Sequence, residues 1–137
     1  MELIRLSAPL SGAAAVDAQA PLCPGRKVRL VGVLLTSRAG VAAHASNYKA
    51  FQVYGSNGST VIWEWSTASG ADGALVAASI YGLAPDMAPD TAKAFEAAAT
   101  GALLEYEENE AIYVESALAA SGVASDVGIT LILRPIS

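Results

Sequence analysis

The pattern of hydrophobic and polar residues is clearest between residues 26 and 67, where apolar stretches are separated by short turns. From Lys27 to Thr36, apolar and β-branched side chains occur at odd and at even positions, so both faces of a strand would be apolar. This pattern predicts a strand in the centre of a buried sheet. In the strand predicted from Asn47 to Tyr54, apolar and polar side chains alternate, as they do where only one face is buried. This part of the chain therefore predicts consecutive β-strands.

A tight turn and another strand follow. Gly55-Ser56-Asn57-Gly58 has the composition of a hairpin turn, because Asn and Gly tolerate left-handed backbone conformations. In the strand after it, three apolar side chains share one face: Val61, Trp63 and Trp65. Ile62 is the exception to this alternation. The pattern predicts a hairpin with one buried face.

Further strands are predicted toward the C-terminus, each bounded by turn residues. They cover residues 74–81, 102–107, 111–117 and 127–136. The second and third are expected to form a hairpin through a short loop at residues 108–110. Pro135 ends the last strand, because proline cannot donate a hydrogen bond to a ladder.

Helix competes with strand only from Asp90 to Thr100. Asp90 can cap a helix, the Ala and Glu residues have good helix propensity, and Gly101 can end it. We predict one short helix near residues 90–100, with an extended segment as the alternative.

Roughly eight short strands separated by turns predict an all-β fold, of which the sandwich and the barrel are the common forms. We expect an antiparallel, jelly-roll-like β-sandwich over residues 26–137. Residues 1–25 are rich in Ala, Ser, Gly and Pro and have no sustained periodicity, apart from one short strand that Leu3 to Leu6 could form. We therefore predict an extended N-terminal arm at residues 1–25.

This arm has two interpretations. An arm of small residues can be a frayed terminus, or it can be a segment that becomes ordered on a partner. In the second interpretation, its apolar and basic side chains make the contact. The candidate partner-binding residues are Leu3, Ile4, Arg5, Leu6, Pro9 and Leu10.

Charge and length exclude several classes of function. The chain has 137 residues, which suits one domain, and a formal net charge of −5. Nucleic acids and anionic membranes are disfavoured partners, because both are bound mainly through Lys and Arg. No apolar run reaches the roughly 18 residues of a membrane helix. Cys23 is the single cysteine, so an intramolecular disulfide is not possible.

The low charge density points to packing between subunits. Charged residues make up 15% of the chain, against about 25% in an average domain, and alanine is abundant. A surface of this kind is typical of contacts with other subunits. An Ala-rich genome would produce the same composition.

Few side chains offer chemistry. His44 is the only histidine and lies in a predicted loop of Ala and Ser, so no Ser-His-Asp or Cys-His arrangement is indicated. The acidic residues cluster at Glu105, Glu107, Glu108, Glu110 and Glu115. A solvated hairpin edge explains this cluster, and a carboxylate pair for acid–base work or a Ca²⁺ site is the alternative. We predict no catalytic, cofactor-binding or metal-binding residue, and therefore no enzyme.

Aromatic side chains allow a second kind of surface. A sugar-stacking platform could be built from Trp63, Trp65, Tyr48 and Tyr54. The two tryptophans, however, lie on the apolar face of their strand, which favours core packing.

Four segments of the chain resemble a known class of protein. They are Val28 to Val33 followed by Thr36-Ser37, Asn47 to Tyr54, Thr100 to Tyr106, and Gly122 followed by Asp126 to Arg134. In this order they resemble the tailed-phage capsid decoration (cement) and head-fibre proteins, which are small β-sandwich proteins. The likeness is one of pattern over most of residues 26–136, without a diagnostic short motif. The Ala-rich segment at residues 90–100 departs from it.

The resemblance implies a structural virion protein without enzymatic activity or cofactor. Such a protein binds the major capsid protein, as a trimer at local three-fold positions, and thereby decorates and stabilises the capsid. It is made in the bacterial host cytoplasm and resides on the capsid exterior. The alternative is a carbohydrate-binding or receptor-binding β-domain of a phage fibre.

Overall fold

The computed structural model describes residues 3–11, 18–37, 42–46, 48–72, 79–83, 93–96, 99–118 and 126–136. In these residues it has ten strands and one short 3-10 helix, Gly101–Leu104. The strands are β1 Ile4–Ser11, β2 Ala18–Leu22, β3 Val28–Ser37, β4 Lys49–Tyr54, β5 Val61–Ser66, β6 Ser79–Leu83, β7 Lys93–Ala94, β8 Glu105–Tyr106, β9 Ile112–Leu118 and β10 Asp126–Pro135.

The strands form two sheets. The larger sheet has six strands in the order β1-β10-β3-β6-β7, with β8 also paired to β3. The smaller sheet has four strands in the order β2-β9-β4-β5. Every pair is antiparallel except β6 with β7, which is parallel. The prediction of a mostly antiparallel all-β fold is confirmed for the part of the chain that is described.

β3 lies in the middle of the larger sheet, with β10 on one side and β6 and β8 on the other. Its pairing with β10 skips Val31, because Ile132 is opposite Gly32 and Leu133 is opposite Leu30. Because of this β-bulge, even-numbered residues point inward before Val31 and odd-numbered residues point inward after it. The core residues of β3 are Val28 and Leu30 before the bulge, and Val33 and Leu35 after it. The stretch with apolar residues at odd and even positions thus forms a central strand, as predicted. The bulge allows four of these residues to point into the core.

A second irregularity explains why Ile62 breaks the alternation of β5. Val53 is opposite Trp63 and Tyr54 is opposite Val61, so Ile62 is the extra residue on its strand. Both Ile62 and Trp63 are fully buried. The bulge therefore lets two consecutive side chains enter the core.

The turn between β4 and β5 forms as predicted. The Gly58 amide donates to the Gly55 carbonyl oxygen at 2.9 Å, and Gly58 has a φ of 73°. Oδ1 of Asn57 accepts hydrogen bonds from the amides of Ser59 and Thr60, both at 3.0 Å. The asparagine side chain closes the turn and sets the register of the hairpin.

One hydrophobic cluster contains side chains of both sheets. The larger sheet contributes to it from β3, β8 and β10, and the smaller sheet from β4, β5 and β9. Its largest fully buried members include Trp63, Tyr106 and Phe51. Removing this apolar area from water, at roughly 25 cal/mol per Å², is the main force that holds the two sheets together.

The hairpin expected from residues 102–107 and 111–117 is not formed. β8 pairs with β3 in the larger sheet, while β9 pairs with β2 and β4 in the smaller sheet. The loop between β8 and β9 therefore crosses from one sheet to the other. The prediction is wrong because a short polar loop has the same composition in a hairpin and in a crossing between sheets.

The short helix predicted near residues 90–100 is absent from the part of that segment that is described. Lys93 and Ala94 form β7 and pair with β6. The Glu96 amide then donates to the Ile62 carbonyl oxygen at 2.8 Å. Backbone bonds to neighbouring strands override helix propensity, which is worth only some tenths of a kcal/mol per residue. Residues 90–92, 97 and 98 of the predicted helix, and residues 74–78 of the predicted strand before it, lie outside the described ranges.

The N-terminal segment differs from the extended arm predicted for residues 1–25. β1 pairs along its length with β10, and β2 pairs with β9. Each is the end strand of its sheet, and the two strands lie next to each other. Pro9 and Pro21 belong to these strands although they resemble turn residues, because an edge strand can accept proline. Residues 1, 2 and 12–17 lie outside the described part.

A hydrogen bond from Tyr106 also joins the two sheets. Its hydroxyl, on β8, donates to the backbone carbonyl oxygen of Tyr54, on β4, at 2.7 Å. Burial raises the pKa of the Tyr106 hydroxyl well above its usual value, and the negative charge of Glu110 raises it further. The hydroxyl therefore stays protonated and keeps its role as donor.

Replacing Tyr106 with phenylalanine should lower the free energy of unfolding by about 1–3 kcal/mol, because the Tyr54 carbonyl would lose its partner. Urea unfolding followed by tryptophan fluorescence measures this. Tyr113→Phe, on the outer side of β9, is the matched control and should change stability less. Equal losses in the two variants would contradict a special role for the bond.

Stability should also fall at alkaline pH. A tyrosine whose pKa is raised by folding contributes its full stabilisation below its unfolded pKa of about 10 and loses it as the pH rises further. The free energy of unfolding should therefore decrease between about pH 10 and 11, and Tyr106→Phe should reduce that decrease. Urea titrations at the two pH values test this, and an identical pH dependence in both proteins would refute it.

Candidate functional site

The predicted partner-binding residues lie at one edge of the larger sheet, where Leu3 directly precedes β1 and the other five belong to it. Ile4 and Leu6 are partly buried and pack against the core cluster. Leu3 is 40% exposed, and Arg5 and Ser7 are exposed as well. β1 therefore uses one side to hold itself in the fold and presents the other side to solvent.

Pro9 and Leu10 continue the same strand. They are opposite Gly128 and Val127 of β10. Within the described residues β1 is hydrogen-bonded to β10 alone, at the end of the sheet. An end strand of this kind can accept the backbone of another chain, and proline limits such pairing to part of its length.

Arginines gather on the outer face of the larger sheet, which is the face turned away from the core cluster. Arg134 is opposite Arg29 across β10 and β3, and Arg5 is opposite Ile132, one step along the same face of β10. We call Arg5, Arg29 and Arg134 the cationic face. Arg29 has a carboxylate partner on this face, because its Nη1 lies 3.7 Å from Oε2 of Glu105.

The outer face of the smaller sheet carries the opposite charge. Glu115, Gln52 and Glu64 lie in one row across β9, β4 and β5, because Gln52 is opposite both carboxylate residues. We call these three residues the anionic row. Tyr54 follows Gln52 on the same face of β4, next to this row.

Hydrogen bonds connect the row. Nε2 of Gln52 donates to Oε2 of Glu64 at 2.6 Å. The Tyr54 hydroxyl lies 3.3 Å from Oε1 of Glu115 and 3.4 Å from Oε1 of Gln52. The row is thus held in place by its own contacts, and it offers carboxylate oxygens as acceptors with two negative charges.

The acidic cluster expected from the sequence is divided by the fold. Glu105 and Glu107 lie beside the larger sheet, where Glu107 is 3.5 Å from Nζ of Lys27. Glu115 belongs instead to the anionic row of the smaller sheet. Exposed ion pairs of this type contribute little to stability, on the order of 0–1 kcal/mol. The acidic residues therefore do not form one solvated hairpin edge, because Glu105 and Glu107 lie beside the larger sheet and Glu115 lies on the smaller sheet.

The tryptophans lie in the core, as their pattern predicts. Trp63 is fully buried, and Trp65 is partly buried against the same cluster. A sugar-stacking platform needs aromatic rings at the surface, so Trp63 cannot belong to one. Of the other platform candidates, Tyr54 joins the anionic row and Tyr48 is half-buried.

Lys49 is a buried residue that the sequence analysis did not single out. It is fully buried, and its amide donates to Oγ1 of Thr67 at 2.9 Å. Its position in the sequence could have indicated this burial, because Lys49 lies on the same face of β4 as the core residues Phe51 and Val53. His44 lies near this end of the sheet, where its amide donates to the Thr67 carbonyl oxygen at 3.1 Å.

No described group of three or more His, Cys, Asp and Glu side chains could hold a metal ion. The helical part of the described chain is likewise too short and not apolar enough to cross a membrane. Comparisons with family models, with curated proteins and with solved structures give no match to this chain.

Gln52→Glu should destabilise the protein by roughly 0.2–1 kcal/mol, because three carboxylates would then be neighbours in one row. Added salt should reduce this loss by screening the charges. Urea unfolding at low and high ionic strength measures both effects. Gln52→Lys is the matched variant and should not destabilise, since its ammonium would lie between Glu64 and Glu115. A larger loss for Lys than for Glu would contradict the geometry of the row.

Proposed function

We propose that this protein is a structural virion protein, a phage capsid decoration protein that binds the major capsid protein and stabilises the shell. The identity of the partner rests on the resemblance of four sequence segments of this chain, and of their order along the sequence, to the decoration and head-fibre proteins. The proposal includes residence on the capsid exterior, synthesis in the host cytoplasm, self-association as a trimer, and no catalytic activity.

The observation that carries the proposal is the edge strand β1. Arg5 on β1 and Leu3 directly before it are exposed, while Ile4 and Leu6 fasten the strand to the core. A contact strand fixed in this way loses less conformational entropy on binding than a free arm does. Its end position in the sheet also suits the addition of a partner strand.

The proposal extends to the arrangement of the sheets as a jelly-roll-like β-sandwich. It is supported by the large core cluster, which contains inward side chains of both sheets. Two packed sheets leave two outer faces and exposed edges for contacts. Many copies on one shell would make modest contacts of each copy collectively strong.

Leu3→Asp should weaken binding to shells assembled from the phage's major capsid protein by about tenfold or more, as removal of an exposed apolar anchor does. The fold should persist, because Leu3 lies outside the core. Co-sedimentation with purified shells gives the affinity, and urea unfolding checks stability.

Ala43→Asp is the matched control, since it adds the same charge at another exposed site, next to His44, which bridges Ala68 just after β5. It should bind shells like the unchanged protein. Deleting residues 1–25 is less informative, because it also removes Ile4 and Leu6 from the core. Full binding by Leu3→Asp would reject β1 as the contact, and no binding by the unchanged protein would reject the proposed function itself.

A further inference from the structure

The turn between β4 and β5 contains Asn57 followed directly by Gly58, and both residues are exposed. Asparagine is one of the chemically labile residues of proteins. Its side chain can be attacked at Cγ by the backbone nitrogen of the next residue, which closes a succinimide ring. Glycine has no Cβ, so this nitrogen is less hindered in Asn-Gly than in other pairs. The turn therefore brings together the groups of a reaction that needs only water besides the chain.

The reaction has two steps. First, the Gly58 nitrogen gives up its proton to a solvent base and forms a bond to Cγ of Asn57, while the Cγ–Nδ2 bond breaks and the released nitrogen takes up a proton and leaves as ammonia. Water then opens the ring. Cleavage of the bond from the ring nitrogen to Cγ gives aspartate, and cleavage of its bond to the backbone carbonyl carbon gives isoaspartate. In sum, the chain gains water and loses ammonia.

The closed turn holds each group that must move. Oδ1 of Asn57 accepts hydrogen bonds from the amides of Ser59 and Thr60, both at 3.0 Å. Nδ2 donates to Oγ1 of Thr60 at 2.7 Å. The Gly58 amide donates the proton that the reaction removes to the Gly55 carbonyl oxygen at 2.9 Å. Attack requires the side-chain amide to rotate and this proton to leave, so the closed turn opposes the reaction.

We propose that Asn57 is a self-modification site that reacts when the turn opens, so that aspartate and isoaspartate at this position record the opening of the β4–β5 hairpin. The rate in the folded protein is the rate in the open chain multiplied by the fraction of open turns. This site requires no partner, and it is independent of the proposed function.

The two products should affect the hairpin differently. Aspartate leaves the main chain unchanged and can accept hydrogen bonds from the same two amides. Isoaspartate adds a methylene group to the main chain inside the turn, which is closed by a bond of 2.8 Å from the Gly55 amide to the Thr60 carbonyl oxygen. The Ser56 amide also donates to the Leu103 carbonyl oxygen at 3.1 Å, which fastens the turn to the 3-10 helix. A longer main chain should weaken both contacts.

The loop between β8 and β9 supplies an internal control. Its turn has the same type of hydrogen bond, from the Glu110 amide to the Glu107 carbonyl oxygen at 3.1 Å. Asn109 is exposed and has the same place in this turn as Asn57 in the other, but the residue after it has a side chain. In guanidinium chloride, where both turns are open, Asn57 should lose its amide about tenfold or more faster than Asn109.

Incubation at mildly alkaline pH with and without guanidinium chloride, followed by peptide mass spectrometry, measures the rates. In the folded protein Asn57 should react about tenfold or more slowly than in the denaturant. Thr60→Val removes the acceptor of Nδ2 and keeps the β-branched shape. It should speed the reaction in the folded protein about threefold or more and leave the rate in the denaturant unchanged. Thr100→Val is the matched control at an exposed residue without a side-chain capping bond, and it should change neither rate.

The consequence for the hairpin is tested on the aged protein. Asn57→Asp supplies the aspartate product as a standard of equal charge, so ion exchange separates both products from unreacted protein and fragmentation by mass spectrometry identifies isoaspartate. The isoaspartate form should unfold at a lower urea concentration than Asn57→Asp.

Four results would overturn the inference. Equal rates at Asn57 with and without denaturant would reject the control by turn opening, and equal rates at Asn57 and Asn109 in denaturant would reject the site. The same response of Thr60→Val and Thr100→Val would reject protection by the hydrogen bonds of the turn. An isoaspartate form as stable as Asn57→Asp would reject the weakening of the hairpin.

Discussion

The position of β3, inside its own sheet and packed against the smaller sheet, is the constraint on which the other elements depend. Three strands of the larger sheet pair with β3, and its inward side chains meet those of the smaller sheet in one cluster. In a regular strand of ten residues, only every second side chain would point into the core. The bulge at Val31 shifts this alternation by one residue, so that Leu30 and Val33 both point into the core. Without it, half of the apolar residues of β3 would face outward.

The interaction surfaces follow from the same packing. Because Ile4 and Leu6 are needed to extend the core, β1 is fixed at the sheet edge, and Leu3 and Arg5 are carried to the surface with it. Alternation along β10 and β4 then places Arg134 and Gln52 on outer faces. The surface charges are positioned by buried neighbours, and this is why substitutions at exposed positions can test contacts without unfolding the protein.

Much of the fold could be predicted from local patterns. The β4–β5 hairpin follows from Asn57-Gly58, whose turn conformation is decided by the residues themselves. The burial of Trp63 follows from its position on the apolar face. The pairing of β8 and β9 with different sheets could not be predicted, because it depends on which distant strand offers an open edge. Lys49 and the anionic row were missed for related reasons: charge alone predicts exposure, and a row across three strands has no spacing in the sequence.

The sequence by itself determined that the chain is built of short antiparallel strands, since periodicity, turn residues and β-branched side chains act over a few residues. It also determined an acidic chain with a single cysteine and a single histidine. Only the tertiary structure decided which strands are neighbours, that β1 and β2 are edge strands and not an arm, and that Gln52 lies between Glu64 and Glu115 in one row. Proline shows the physical reason: it removes one backbone donor, and whether this breaks a strand depends on whether another strand lies on that side.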